Sequence, residues 1–316
     1  MPKMITGGLG FIGSHLARKL VDLGEEVVLF DVIYRTNLIE DIRQKVTIVR
    51  GDLGNWAQVL EAVKKYKIDT IYHTAALLSA SAEASPLAAY DVNANGTFHI
   101  LEAAKLFDVG SVIFLSSIST YGPGVPERVD DDTIQRPTTM YGVTKVFGER
   151  LGEYYQLKFG VNFRAVRFPS IIGPGRGGGG ASAYSSLIIQ EAAAGRLYEV
   201  FVDREARIPL LYIEDAVQSM VSLEQVPEEK LKRRVYNIEG FSPTAEQLAG
   251  AVRSQIPEMR IKFTPESEMM RIIQSWPREL DGGNARRDWG WQTRYNLDEA
   301  INHFIREFRA RRALYE

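Results

Sequence analysis

The sequence predicts an α/β fold in which a doubly wound parallel sheet carries a smaller C-terminal lobe. Three observations lead to this prediction. A short apolar run near the start of the chain is followed at once by spaced glycines and an amphipathic helix. Apolar runs of strand length then alternate with helical patterns through the first half, as parallel strands joined by crossover helices require. Acidic residues stand where the second and third predicted strands end.

The first glycines of the chain form the pattern T-G-x-x-G-x-x-G. Gly7 allows a sharp turn, Gly10 lets the backbone approach a diphosphate, and Gly13 lets the helix pack on the strand. Phe11 and Ile12 begin that helix, whose N-terminus faces the anion. Such a triplet also occurs in ordinary turns, so its meaning depends on the rest of the strand-helix-strand unit. With the alternating strands it indicates a dinucleotide cradle on a Rossmann-type sheet.

Carboxylates follow the next two predicted strands. Asp31 lies about twenty residues beyond the glycines, where a carboxylate accepts both hydroxyls of a ribose. This position favours NAD, although Arg35 leaves the case for NADP open. Asp52 follows the third strand, where it can accept a hydrogen bond from an adenine amino group while Leu53 packs beside the ring. Both aspartates could instead be turn or helix-capping residues.

Small residues follow the fourth predicted strand. Ala75 and Ala76 leave room for the ribose and the nicotinamide linkage of a bound cofactor. We expect the amide of Asn93, in the next helical segment, to tie adjacent strands together. That role would be structural support and not chemistry.

The candidate reactive residues are a serine, a tyrosine and a lysine. Ser117 follows the fifth predicted strand, and the spacing Y-x-x-x-K places Tyr141 and Lys145 on one helix face. A tyrosine hydroxyl is a poor base at neutral pH, so we expect the ammonium of Lys145 to lower the pKa of Tyr141. Ser117 would bind the substrate oxygen while Tyr141 takes its proton and a nicotinamide takes a hydride. Isolated Y-x-x-x-K patterns are common on surface helices; the order of motifs makes this one informative.

Composition excludes several function classes. The 316 residues carry 38 Lys and Arg against 40 Asp and Glu, a net charge of -2 that does not favour nucleic-acid binding. The absence of cysteine excludes thiolate catalysis and cysteine metal sites, and the 4 histidines lack metal-ligand spacing. Apolar runs are too short for membrane spans, and residues 1–13 leave no room for a signal peptide. We therefore expect a cytoplasmic protein with a small-molecule substrate and no metal, membrane or nucleic-acid partner.

In the order of its motifs the chain resembles the extended short-chain dehydrogenase/reductase family, within the NAD-dependent epimerase/dehydratase superfamily, over nearly its whole length. Four segments look like the short-chain type of L-threonine 3-dehydrogenase: residues 73–80, 116–123, 207–215 and 275–291. Nucleotide-sugar enzymes, the competing branch, usually place an Arg-Asp pair where this chain has Ile208 and Pro209. That arginine binds the substrate diphosphate, and here the guanidinium of Arg207 lies one position away.

One segment departs from the threonine dehydrogenase pattern. Where those enzymes carry G-G-G-T-T-D-Y, Ala181 and Ala183 replace a hydroxyl and a carboxylate and leave Ser182 and Tyr184. An amino acid zwitterion needs partners for both charges, so fewer polar groups favour a different β-hydroxy substrate. The run from Gly173 to Gly180 is either a loop that orders over the substrate or a flexible connection.

The predicted organisation has two parts. Residues 1–169 form an NAD-binding domain to which residues 210–239 return, and residues 170–209 and 240–316 form a substrate-binding lobe. The residues expected to bind NAD are Gly7, Gly10, Phe11, Ile12, Gly13, Asp31, Asp52, Leu53, Ala75, Ala76, Tyr141, Lys145 and Ile171. The residues expected to bind substrate are Ser79, Ser81, Ser117, Tyr141, Ser182, Tyr184 and Trp276.

The resemblance predicts an NAD-dependent dehydrogenase that oxidises the β-hydroxyl of L-threonine, giving 2-amino-3-oxobutanoate, or of a closely related β-hydroxy compound. A nucleotide-sugar 4-epimerase with tightly bound NAD is the main alternative, and a non-catalytic NAD-sensing module is a third. Helices from Leu87 to Phe107 and from Tyr141 to Leu157 match those that form a four-helix contact in this family. The resemblance therefore also implies a homodimer.

Overall fold

The computed structural model describes residues 1–316 and has a parallel sheet at its centre. The strands, in chain order, are β1 (Lys3–Thr6), β2 (Val27–Asp31), β3 (Val46–Arg50), β4 (Thr70–His73), β5 (Ser111–Ser117), β6 (Arg128–Val129), β7 (Phe163–Phe168), β8 (Ser170–Ile172), β9 (Leu197–Val200), β10 (Leu210–Tyr212), β11 (Val235–Asn237), β12 (Arg260–Phe263) and β13 (Glu279–Leu280). The 7-stranded sheet has the spatial order β11-β7-β5-β4-β1-β2-β3, and every neighbouring pair is parallel. From β1 the chain adds β2 and β3 on one side and then β4, β5, β7 and β11 on the other, so the order of strands reverses between β1 and β4. In sheets of this kind, ligands bind beyond the carboxyl ends of the strands at such a point. The predicted Rossmann-type α/β fold is confirmed.

Helices cover both faces of this sheet. In chain order they are α1 (Phe11–Asp22), α2 (Trp56–Lys65), α3 (Ser79–Ala84), α4 (Pro86–Ala89), α5 (Gly96–Leu106), α6 (Met140–Phe159), α7 (Tyr184–Ala193), α8 (Ile213–Gln225), α9 (Ala245–Gln255), α10 (Ser267–Gln274), α11 (Gly283–Trp289), α12 (Leu297–Ala310) and α13 (Arg312–Tyr315), with a π-helical turn at Tyr90–Asn95. Met4 of β1 packs in a core with Ile100 of α5, whereas Ile5 packs in another with Leu16 of α1 and Val217 of α8. Successive residues of a strand point to opposite faces, so each central strand contributes to two cores.

The first turn of α6 is fixed at its start by a side-chain cap. Thr139 accepts a hydrogen bond from the backbone N–H of Gly142 at 3.2 Å. At the other end Gly160 adopts the left-handed conformation, with φ of 73°, and ends the helix. Helix α6 packs against β5, so the N-terminal turn of α6 and the end of β5 are held together.

Strands outside the sheet form three short parallel pairs, β8 with β10, β9 with β12, and β6 with β13. A cluster of 56 buried hydrophobic residues extends from the α1 face of the sheet into this second region. It includes Ile5 of β1, Ile188 of α7 and Phe304 of α12. The two regions therefore share one core. None of the helices combines the length and the apolar character needed to cross a membrane.

Candidate active site

A cavity of about 220 Å³ opens where the carboxyl ends of the sheet strands meet the second region. Its walls include the start of α1, the ends of β5 and β8, the start of α6 and the glycine-rich segment before α7. Eight residues predicted from the sequence line it: Phe11, Ile12, Ser79, Ser117, Tyr141, Ile171, Ser182 and Trp276. The fold thus gathers cofactor, catalytic and substrate candidates around one space.

The glycine turn beside this cavity has no room for side chains. Gly7 has φ of 67°, and a Cβ on it would lie 2.9 Å from the Cα of Ala75. A Cβ on Gly13 would collide with the carbonyl oxygen of Gly7. No side chain caps the first turn of α1, which begins at Phe11 and contains no acidic residue there. Its free N–H groups therefore suit an anion such as the diphosphate of a dinucleotide.

The Asp31 carboxylate ends β2 and is held in a fixed orientation. One of its oxygens accepts the N–H of Leu9 at 3.0 Å, and the other accepts the N–H of Ile33 at 3.1 Å. Burial raises the pKa of Asp31, and these backbone N–H groups oppose that rise. Each carboxylate oxygen still has a lone pair for a ribose hydroxyl. The turn glycines and this carboxylate therefore fit a dinucleotide.

The other predicted cofactor residues lie around the same strand edge. Asp52 is exposed and accepts the N–H of Gly54 at 2.9 Å, whereas Leu53 is buried. Ala75 and Ala76 are half-buried in the segment after β4. Arg35, the residue that left NADP open, is exposed on the loop after β2.

Ser117 and Tyr141 both line the cavity, and Lys145 lies buried beside them. Ser117 is the last residue of β5, one position further than the predicted strand, and its Oγ accepts the N–H of Ser119 at 3.2 Å. The Lys145 Nζ donates to the carbonyl oxygen of Leu115 at 2.6 Å and lies 5.6 Å from the ring centroid of Tyr141. The lysine is thus anchored to β5 beneath the tyrosine ring.

Burial dominates the electrostatics of this group. Burial raises the pKa of Tyr141 to about 12, while the hydroxyl of Ser117 and the charge of Arg176 lower it. Burial also lowers the pKa of Lys145 to about 7, with Glu149 opposing. Lys145 is not among the groups that shift the Tyr141 pKa, and its amine donates to the Leu115 carbonyl, so the expected lowering of that pKa by Lys145 stays a prediction. Arg176 supplies the opposing positive charge.

Arg176 is the cavity residue that the sequence interpretation missed. It lies within the glycine-rich segment, and its Nη1 donates to Ser170 Oγ at 2.9 Å and to the carbonyl of Ile171. Its Nη2 donates to Ser182 Oγ at 2.7 Å. Burial lowers the pKa of Arg176 to about 10, so it remains charged at neutral pH. The one available signal was a basic residue amid glycines between a strand and a helix.

Two predicted substrate residues do not line the cavity. Ser81 is exposed, although Ser79 of the same helix is buried and lines it. Tyr184 is fully buried at the start of α7, with its ring in an edge-on contact 6.0 Å from that of Phe201. Of the two replaced polar positions, Ala181 lines the cavity and Ala183 is buried outside its lining.

Buried polar groups support the segment between β4 and α6. Asn93 accepts the N–H of Leu77 at 2.8 Å and donates to the Thr144 hydroxyl at 3.1 Å. It therefore ties the segment after β4 to α6, and the expected link between adjacent strands is wrong. His73 lies between the hydroxyls of Thr6 and Thr97 at 2.8 and 3.0 Å, and burial lowers its pKa to about 3. No group of three or more His, Asp or Glu side chains is placed to hold a metal ion.

A dinucleotide cradle and a Ser-Tyr-Lys group at one sheet edge define a nucleotide-dependent enzyme of the tyrosine-dependent dehydrogenase kind. The NAD dependent epimerase/dehydratase family matches residues 4–238, and the chain belongs to that family. The predicted family and the predicted cofactor, NAD, are confirmed.

Similar proteins point to one branch of this family. Mitochondrial L-threonine 3-dehydrogenase from Bos taurus is 34% identical over 96% of this chain and 81% of its own length. The crystal structure of L-threonine dehydrogenase from Phytophthora infestans has a TM-score of 0.91 and 35% identity, covering 98% of this chain and 99% of that one. A monomeric L-threonine 3-dehydrogenase known from metagenome sequences has a TM-score of 0.91 and 28% identity, with 98% and 99% covered. The predicted resemblance to threonine dehydrogenases is confirmed.

Proposed function

We propose that the protein is an NAD-dependent dehydrogenase that oxidises the β-hydroxyl of L-threonine, giving 2-amino-3-oxobutanoate, or of a closely related β-hydroxy compound. One observation carries the proposal: Ser117 and Tyr141 line the same cavity as the first residues of α1, with Lys145 buried beside them. The similarity to L-threonine 3-dehydrogenases along almost the whole chain supports the same reaction.

The chain would position the substrate and move its proton. Ser117 Oγ donates to the β-oxygen of the substrate, and Tyr141 accepts the hydroxyl proton as that oxygen becomes a ketone. Bound NAD supplies the acceptor for the hydride, with its two electrons, from the β-carbon. The Lys145 ammonium favours the phenolate of Tyr141 when protonated and, by resemblance, holds a ribose hydroxyl. The products are a ketone, NADH and a proton.

The residues that would hold NAD follow from the turn and the strand ends. The segment from Gly7 to Gly13 would take the diphosphate, and Asp31 the ribose hydroxyls of the adenosine half. Asp52 and Leu53 would meet the adenine. Ala75, Ala76 and Ile171 would leave room for the nicotinamide half.

The nucleotide-sugar alternative has less support, because the chain has no free arginine where nucleotide-sugar enzymes bind the substrate diphosphate. Arg207 donates to Glu279 at 2.5 Å and to the Ser242 carbonyl at 2.8 Å, and it does not line the cavity. Its guanidinium is thus already engaged, and Ile208 beside it is fully buried. The sensing alternative leaves the conjunction of Ser117, Tyr141 and Lys145 unexplained.

We also propose a homodimer formed through the α5 and α6 faces. Large apolar side chains are exposed along these helices: Phe98, Leu106, Val143, Phe147, Tyr154, Leu157 and Phe159. Exposed apolar patches of this kind mark protein interfaces. A cytoplasmic location remains part of the same proposal.

The test is NADH formation by the purified protein, followed by absorbance, with NAD and a panel of L-threonine, L-serine, other β-hydroxy acids and UDP-sugars. Reduction of NAD that depends on a β-hydroxy acid is the expected result. Interconversion of UDP-glucose and UDP-galactose without net NADH would replace the proposal by the epimerase. NAD binding without any turnover would replace it by the sensing module.

A further inference from the structure

The cavity contains a single charged side chain. Among its lining residues Arg176 is the only ionic group, and the rest are hydroxyl, glycine and apolar residues. No Asp, Glu, Lys or His lines it. Asp203 lines a separate cavity that shares only Trp276 with this one. An ammonium group placed in the cavity would therefore meet a positive charge and no carboxylate.

The Arg176 guanidinium has no ionic partner. Two buried arginines pair with carboxylates, Arg18 with Asp41 at 2.8 Å and Arg167 with Glu149 at 2.8 Å. Arg164, which is also buried, has no carboxylate partner and donates to Asn162 and to three backbone carbonyls away from the cavity. Arg176 forms no salt bridge, and its hydrogen bonds go to Ser170, Ser182 and one carbonyl. A guanidinium has five N–H donors, so two remain for a ligand. A charge left uncompensated at a cavity wall favours an anionic occupant.

We infer that the substrate is a β-hydroxy acid whose carboxylate binds Arg176 and whose α-carbon carries no ammonium group. This inference rests on the proposed function, because it places the β-hydroxyl at Ser117 and Tyr141. Of the two substrates named there, it selects the closely related β-hydroxy compound over L-threonine. Arg176 and Tyr141 line the same cavity, so one small substrate could contact both side chains. The hydroxyls of Ser79 and Ser182 in the same wall suit an α-hydroxyl.

The diphosphate of NAD is the competing anion for Arg176. Phe11 and Ile12, at the start of α1, line the same cavity. The free N–H groups of that helix already provide for the diphosphate, whereas no other cationic group in the lining provides for a carboxylate. The cofactor therefore does not need Arg176, and a substrate carboxylate accounts for this residue. Measurements of NAD binding and of KM for the acid distinguish the diphosphate from the carboxylate as its partner.

The first experiment compares kcat/KM for 2,3-dihydroxybutanoate, 3-hydroxybutanoate, L-threonine and L-threonine amide at saturating NAD. We expect the amine-free acid of matching configuration to exceed L-threonine by about 100-fold or more, because a buried unpaired charge is strongly disfavoured. The amide, which keeps the ammonium and lacks the carboxylate, should be inactive. A kcat/KM for L-threonine equal to or above that of both amine-free acids overturns the inference while leaving the proposed function intact.

The second experiment uses Arg176→Met, Arg176→Lys and the control Arg253→Met, an exposed arginine on α9. Loss of a charged hydrogen bond predicts a KM for the preferred acid raised by roughly 10- to 100-fold in Arg176→Met, with a smaller rise in Arg176→Lys. The control should match the wild type. The melting temperature should change little in all three variants. The dissociation constant for NAD, measured by quenching of tryptophan fluorescence, should also change little.

Two results contradict the assignment of Arg176. An unchanged KM in folded Arg176→Met excludes it as the carboxylate site. A weakened NAD affinity with an unchanged KM for the acid transfers the guanidinium to the cofactor. If no compound in the panel reduces NAD with wild-type protein that binds NAD, the proposed function fails, and this inference fails with it.

Discussion

At the scale of single residues, the proposed proton acceptor Tyr141 is largely shielded from bulk water. The side chain is 6% exposed and lines the cavity. Replacing Tyr141 by Phe removes the proton acceptor but keeps the ring. We expect kcat to fall by about 10²- to 10⁴-fold with NAD affinity preserved. Steady-state rates and NAD titration check this, with Tyr154→Phe, an exposed tyrosine of the same helix, as control; unchanged turnover in Tyr141→Phe would contradict the mechanism.

The two shifted pKa values predict a rate that rises with pH. Below the Tyr141 pKa of about 12, the phenolate fraction grows about tenfold per pH unit, so kcat/KM for oxidation should increase. Lys145, with a pKa of about 7, loses its supporting charge above neutrality, so the rise should become shallower there. In Lys145→Met the profile should be lower and without that change of slope. Profiles of kcat/KM from about pH 6 to 10 for the wild type and Lys145→Met test this prediction. If the variant shows the same change of slope near neutrality, a group other than Lys145 causes it.

At the scale of elements, close packing of the glycine turn predicts a sharp contrast between two glycines. A Cβ on Gly13 would collide with the Gly7 carbonyl, whereas a Cβ on Gly250 of α9 meets nothing within 4 Å. Gly13→Ala should therefore weaken NAD binding and lower the melting temperature. Gly250→Ala should leave NAD binding unchanged and stabilise the protein by about 1 kcal/mol, because alanine favours a helix. Thermal melts and NAD titrations of both variants test this; equal behaviour would show that the turn tolerates a methyl group.

Sequence patterns predicted the strands and helices better than the contacts between them. The order of strands and glycines placed Tyr141, Ser117 and the α1 turn at one edge, since parallel strands end together. The sequence alone did not show which of Ser79 and Ser81 lies at the cavity. Two positions apart on a helix, the two serines lie on nearly opposite faces, and Ser81 is exposed. The contact of Lys145 with the Leu115 carbonyl joins residues far apart in the chain, and the position of Arg176 in the cavity depends on the conformation of a loop. No local periodicity encodes either of them.

At the scale of the whole molecule, the exposed apolar stripe of α6 predicts self-association. Val143, Phe147 and Tyr154 recur at helical spacing and are 48%, 43% and 52% exposed. We expect a dimer by sedimentation equilibrium and a monomer for Phe147→Glu, because a charge in an apolar contact is costly. Leu23→Glu, with 49% exposure after α1, is the matched control and should stay dimeric. A monomeric wild type, as described for one relative, would refute the dimer.

The hydrophobic core shared by the sheet and the second region limits how the cavity can open. Since Ile5, Ile188 and Phe304 belong to one cluster of 56 residues, swinging one region away from the other would expose that cluster to water. We therefore expect the two regions to keep their relative position when the substrate enters. Heating should likewise melt both regions in one calorimetric transition, with equal calorimetric and van't Hoff enthalpies. Two separate heat-absorption peaks would instead reveal regions that unfold independently.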